Sequence, residues 1–182
     1  KKISQDEINA RCKKVLMAKK WMGLDKYEPV NLNTIKQEII TKNTEVINRK
    51  LVQSSLTLLQ NYDDLLPLQN LDTLNIASVC IGENTSVFQQ VLSKYTKVTH
   101  FTISENASSK EQALLLNKLS EFNLVIASVH KSNLNPWKSY KINRNTDVFL
   151  QSVAMQSKVI LAIFANPYSL NSLFITNNFD AL

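Results

Sequence analysis

Four apolar runs alternate with amphipathic stretches between residues 75 and 165, and this alternation constrains the fold more than any other feature. Asn75-Ile76-Ala77-Ser78-Val79-Cys80-Ile81, Val98–Ile103, Phe122–Val129 and Lys158–Ala165 read as strands. Between them, Thr85–Tyr95, Ser108–Leu119 and Thr146–Ser157 carry apolar residues at helical spacing. Connections of that length suit the crossover helices that parallel pairing requires. Near-continuous apolar strands are buried on both faces. Right-handed crossovers then give an α/β fold, a three-layer αβα sandwich on a mostly parallel, flavodoxin-like sheet. Val79, Ile81, Val125, Ile126, Val159, Ile160 and Ile163 are the expected core.

A helical segment precedes this pattern. Residues 4–22 read as a helix, with Ser4 and Glu7 spaced as a capping box and Gly23 placed for a left-handed C-cap. Residues 25–43 form a connector broken by Pro29 and several Asn, with a short helix capped by Asn33 or Thr34. A second helix spans about 44–55. Leu56–Gln60 alternates like a strand, and Asn61-Tyr62-Asp63-Asp64 is turn chemistry. Pro67 keeps Leu65–Leu68 at an edge or outside a sheet. The divisions are therefore 1–24, a linker over 25–50, and a sandwich over 51–182. The chain opens on Lys1-Lys2 without Met or a signal peptide, which reads as an internal piece of something longer.

Composition removes several function classes. Only Gly23 and Gly82 are present in 182 residues, so Walker loops and dinucleotide fingerprints are excluded by counting. Asn is expected to take over turns that need positive φ. The net charge of +6 lies wholly in residues 1–50, with 12 Lys/Arg against 6 Asp/Glu; residues 51–182 hold 9 of each. That basic excess reads as the solvated face of a helix, without the interleaved aromatics of a nucleic-acid surface. The longest apolar run, Val159–Ala165, has seven residues, too few for a membrane span. Cys12, Cys80, His100 and His130 show no metal-ligand spacing, and no cofactor motif occurs. Two Cys leave the redox compartment open.

Two motifs carry a resemblance. Arg49-x-x-Val52-x-x-Ser55-Leu56-Thr57-Leu58-Leu59-Gln60-Asn61, followed by Leu65-Leu66-Pro67-Leu68, resembles the entry into the second domain of glycoside hydrolase family 3. That entry reads Arg-x-x-Ala-x-x-Ser, a Val/Leu strand, Lys-Asn, a turn and Leu-Pro-Leu. Phe164-Ala165-Asn166-Pro167-Tyr168 resembles the family's Gly-Asn/Ser-Pro-Tyr turn, with Ala165 in place of Gly. The helix leading to Gly23-Leu24 looks like the last helix of the family's catalytic barrel. The resemblance implies a retaining glycosidase whose nucleophilic Asp lies in a barrel outside this chain. Its partners would be that barrel and a carbohydrate substrate, in a bacterial, periplasmic or secreted parent.

One departure selects a branch. The β-glucosidase-like branch places a Glu just after the third core strand, where this chain reads Ser128-Val129-His130-Lys131-Ser132-Asn133. No carboxylate occurs between Glu121 and Asp147. The resemblance is therefore to β-N-acetylglucosaminidases, whose barrel carries a His as acid/base, and it implies that the sandwich is structural and non-catalytic. A stand-alone flavodoxin-like or receiver-like binding module is the alternative; Glu83 alone is a poor acidic cluster for a receiver.

Three residues are candidates for sugar contact. His130 and Lys131 end a core strand, at the sheet edge where open α/β folds bind ligands. His130 has no carboxylate near it in the sequence. Trp137 lies in a long loop, Asn135-Pro136-Trp137-Lys138-Ser139-Tyr140, where aromatics stack on sugars or pin the loop to its domain. His100 reads as structural, and Cys80 as a small hydrophobe in a buried strand. The family pattern continues after Asn166-Pro167-Tyr168 into a further strand, of which Phe179–Leu182 is the threshold. Strand 158–165 is then an outer strand with an apolar open edge, which implies self-association through it.

Overall fold

The computed structural model describes residues 3–182 except 85, 133, 136, 138 and 175. The chain forms two compact units, 1–56 and 57–182. Residue 51, the expected start of the second domain, lies inside the last helix of the first unit.

The first unit is helical. Helix α1 spans Gln5–Trp21, followed by a 3-10 turn at Leu24–Lys26. Ser4 caps α1 by accepting from the Glu7 amide at 3.3 Å. The expected capping box is only half formed, because the Glu7 carboxylate turns to Arg11 at 2.6 Å. Gly23 ends the helix at φ +75°. Helix α2 is short, Ile35–Ile39, with Thr34 at its N-cap but bonded to Glu38 rather than to the helix amides. Helix α3 spans Lys42–Ser55 and starts earlier than expected, because Thr41 and Thr44 form a reciprocal capping box. No described residue of 3–56 is buried.

The second unit is the sandwich. Strands β1 (Ile76–Ile81), β2 (Val98–Ile103), β3 (Leu124–His130) and β4 (Lys158–Phe164) form one parallel sheet in the order β2-β1-β3-β4. Helices α4 (Val87–Leu92), α5 (Ser109–Leu119) and α6 (Arg144–Ala154) make the crossovers. The expected start of α4 at Thr85 lies outside the described residues. Helix α4 ends early because Ser93 turns its hydroxyl to the Gln89 carbonyl and His100. Asn143 caps α6, so that helix begins and ends before its expected bounds.

Strand alternation sorts the core onto two faces. Val79, Ile81, Val125, Val129, Val159 and Leu161 face α5 and α6, meeting Leu119, Phe149, Leu150 and Val153. Ile76, Leu124, Ile126 and Ile160 face the other way, toward Phe88 and Leu92 of α4 and the leucines of 65–74. The helix layer on this second face is thus completed by a loop. Every expected core residue is buried except Ile163, which is half-buried against the first cluster.

Three local expectations differ. Leu56–Gln60 is not a strand of the sheet. It leads to a single antiparallel bridge, Asn61 to Ala181, flanked by the Leu182 amide donating to Gln60 at 3.0 Å. Positive φ falls on Asp63, Asp64 and Asn70, so Asp shares the turn duty assigned to Asn. The outer edge of β4 is partly covered: the Asp180 amide donates to Val159 at 2.9 Å, and the Leu161 amide to Ala181 at 2.9 Å. The start of a fifth strand therefore forms within the chain, because Gln60 anchors it through the Phe179 and Thr176 carbonyls. That cover reaches Val159 and Leu161 but not Ala162–Phe164 among the described residues.

Candidate functional site

The chain crosses over from β1 to β2 on one side and returns to β3 on the other. Strands β1 and β3 are therefore neighbours that lead away in opposite directions, and the crevice above their C-terminal ends is the usual ligand position in such sheets. In register, Cys80 lies opposite Ser128. His130, two residues on, shares their face by strand alternation. Glu83 arrives from the loop after β1.

Gly82 makes this approach possible. It has φ +97°, and a Cβ there would lie 2.5 Å from the His130 carbonyl oxygen. Only glycine lets the end of β1 turn so tightly against β3. The turn brings the Glu83 carbonyl 3.6 Å from the Cys80 sulfur, which donates to it. It also sets Glu83 Oε2 3.5 Å from His130 Nδ1.

The His130 ring is held on all sides. It stacks on Phe164 at 4.7 Å, and Phe164 packs in turn on Phe88 at 5.2 Å. Its Nε2 lies 3.1 Å from Ser128 Oγ. Burial pushes the His130 pKa below the ordinary imidazole range, and the Glu83 carboxylate offsets part of that shift. The ligand atoms of Cys80, Glu83 and His130 all lie within 4.8 Å of one another, so these three residues could hold a metal ion.

Lys131 points elsewhere. Its ammonium contacts Glu105 Oε2 at 2.9 Å and the Lys141 carbonyl at 2.5 Å. Asn143 donates to the Glu105 carbonyl at 2.7 Å, tying β2, β3 and the start of α6 together above the sheet. Beside this pair lies a polar hollow of about 300 Å³, lined by Gly82, Glu83, Asn84, Ser104, Glu105 and Asn106 among others.

Of the three candidates, the fold thus brings His130 and Lys131 to one sheet edge, facing different carboxylates. Trp137 is 88% exposed and is not part of this cluster. Tyr140 of the same segment lies near Tyr168, ring centroids 6.3 Å apart. Asn133, Pro136 and Lys138 lie outside the described residues. His100 is exposed on β2 and bonds Ser93 at 2.6 Å. The sequence reads Cys80 as core and Glu83 as a lone carboxylate and gives Glu105 no role; the fold brings the first two to His130 and the third to Lys131. Glu83 stands 47 positions from His130 in the chain, and only strand pairing joins them. Gly82 was the available signal, as one of two glycines and directly after a core strand.

No protein-family model matches the sequence, and no curated protein matches it. Solved structures do. A glycoside hydrolase family 3 β-N-acetylglucosaminidase from Paenibacillus sp. str. FPU-7 aligns over 98% of this chain and 34% of its own, with TM-score 0.60 and 18% identity. A fungal multi-domain family 3 β-N-acetylglucosaminidase aligns over 98% of this chain and 20% of its own, with TM-score 0.57 and 17% identity. A β-glucosidase from Erythrobacter marinus aligns over 78% of this chain and 26% of its own, with TM-score 0.54 and 9% identity. The chain spans about a third or less of each of these proteins. At such identities the likeness is one of fold: this chain is an α/β sandwich with a helical lead, similar to a portion of family 3 glycoside hydrolases.

Proposed function

We propose that this chain is the linker and second domain of a family 3 glycoside hydrolase whose barrel cleaves terminal β-N-acetylglucosaminides with retention. The observation that carries this reading is the extent of the likeness. Two β-N-acetylglucosaminidases match 98% of the chain, helical lead and sandwich alike. The motifs at Arg49–Leu68 and Phe164–Tyr168 support it. The segment after β3 supports the choice of branch, since His130-Lys131-Ser132 offers no carboxylate to act as acid or base.

In this reading the sandwich positions and supports, and the chemistry lies in the barrel. Glu83 and Glu105 border one hollow, but Lys131 holds Glu105 in an ion pair and Glu83 faces His130. Neither is poised as half of a hydrolytic carboxylate pair. The test is a chromogenic assay with β-N-acetylglucosaminide and β-glucoside. The 182-residue chain is expected to be silent, and the full reading frame to turn over the former substrate faster. Turnover by the chain alone, abolished by a point change within it, would overturn the reading. Preference of the full protein for the glucoside would overturn the branch.

A further inference from the structure

We propose that Cys80, Glu83 and His130, gathered at the crevice between β1 and β3, form a site for one divalent transition-metal ion of the zinc class. The three side chains supply a thiolate, a carboxylate and an imidazole, with their ligand atoms within 4.8 Å of one another. A tetrahedral ion with bonds of about 2.0–2.3 Å sets its ligands about 3.3–3.8 Å apart, so the cluster must draw in by about 1 Å to bind one. Glu83 is the ligand freest to adjust, because its side chain is 51% exposed and rides on a loop.

The orientation of His130 turns Nδ1 toward Glu83 and Nε2 toward Ser128. The Ser128 hydroxyl donates to the Val79 carbonyl at 3.4 Å. With its proton so placed, its oxygen accepts from His130 Nε2 at 3.1 Å in the tautomer that carries the ring proton there. The lone pair then sits on Nδ1, which faces Glu83 Oε2 across 3.5 Å. In that tautomer a cation between Nδ1 and the Glu83 carboxylate satisfies both acceptors. A ligating His commonly donates its other N–H to a fixed acceptor, and Ser128 fills that role. Phe164, stacked on the ring, holds its plane.

The donor set selects the metal. Magnesium and calcium require oxygen ligands throughout, whereas sulfur with imidazole suits zinc or cobalt. Binding converts the Cys80 thiol to thiolate and releases its proton to solvent. Three protein ligands leave a fourth position for water on a tetrahedral ion. The ion would join the β1–α4 loop to the end of β3 at the place where Gly82 already forces them together.

The inference is independent of the glycosidase reading and is tested on the 182-residue chain with Co²⁺ alone, then Zn²⁺ as competitor. One saturable equivalent of Co²⁺ with a thiolate charge-transfer band is expected, displaced by Zn²⁺. Cys12→Ser should retain the band, since Cys12 is exposed on α1, and Cys80→Ser should lose it. Ser128→Ala should weaken binding about 10- to 100-fold, the usual effect of losing such a supporting bond. Should Cys80→Ser fail to fold, Glu83→Gln decides, with binding at least about tenfold weaker expected on the same reasoning. No saturable band, a band that follows Cys12, or wild-type Co²⁺ affinity in Glu83→Gln would each overturn the site.

Discussion

Helices α1 and α6 both carry large apolar side chains, yet they end in opposite environments. On α1, Ile8, Val15, Leu16 and Met17 are each about half exposed or more. On α6, Phe149, Leu150 and Val153 are at most 2% exposed and meet two other elements of the core. What holds α1 is therefore local: a serine cap, the Glu7–Arg11 pair and the Gly23 terminus. Such features contribute about 0.3–2 kcal/mol each. What holds α6 is burial, where each large side chain contributes about 1.5–3 kcal/mol. The same sequence signal thus predicts a helix in both units, but predicts stability only where a sheet receives the face.

The largest expected difference is in hydrogen exchange. Amides of Gln5–Trp21 should exchange through local fraying, which costs little free energy. Amides of Leu124–His130 should exchange only on global opening, since β3 is flanked by β1 and β4 and almost entirely buried. Equal protection of the two segments in a monomer would break the comparison.

Truncation at single positions sharpens it. Ile126→Ala removes a side chain that is 5% exposed in the cluster beneath α4. It should lower stability by about 2–5 kcal/mol in urea unfolding. Leu16→Ala, at a position 58% exposed, should stay within about 0.5 kcal/mol. A loss below about 1 kcal/mol for Ile126→Ala would place that residue outside a packed core.

The two glycines form a matched pair across the units. Gly23 has φ +75° and nothing within 4 Å of a built Cβ, so Gly23→Ala carries only backbone strain, about 1–2 kcal/mol. Gly82 adds the His130 carbonyl oxygen at 2.5 Å, a backbone atom that cannot swing aside. Gly82→Ala should cost about 3 kcal/mol or more and displace the Glu83 loop. Similar losses at both positions would mean that the β1–β3 approach is looser than the register implies.

The sandwich was legible in the sequence because its strands are continuous apolar runs that no helix face could use. The order β2-β1-β3-β4 matches the flavodoxin-like arrangement expected of such a doubly wound sheet. The site was only half legible. His130 and Lys131 could be placed at a strand end, since Val125–Val129 fixes where β3 runs. Their partners could not, because Glu83 and Glu105 arrive from different loops and meet them only through parallel pairing. The cover on β4 was hidden for a similar reason: Gln60, over a hundred residues away, anchors Phe179 and so starts the pairing at Asp180. Leu56–Gln60 misled because alternation describes a face, while a strand also needs a partner of its own length.

The smallest expected difference separates two capping boxes by pH. Helix α3 is capped by Thr41 and Thr44, neither of which titrates. Helix α5 is capped by Ser108 and Glu111, whose carboxylate accepts from the Ser108 amide at 2.7 Å and its hydroxyl at 2.8 Å. Those two bonds hold the Glu111 carboxyl below its ordinary value of 4.5. A carboxylate with a lowered pKa in the folded state stabilises fully above its unfolded value, and that contribution is lost as pH falls through the folded one. The contribution of α5's cap should therefore fade below about pH 4.5, and that of α3's cap should not. Glu111→Gln keeps an amide oxygen for the box but no titration. Comparing the acid limb of stability for Glu111→Gln and the parent chain isolates this group from the other acidic residues. A variant whose profile stays parallel to the parent through that window would show that the Ser108–Glu111 box carries no pH-dependent stability.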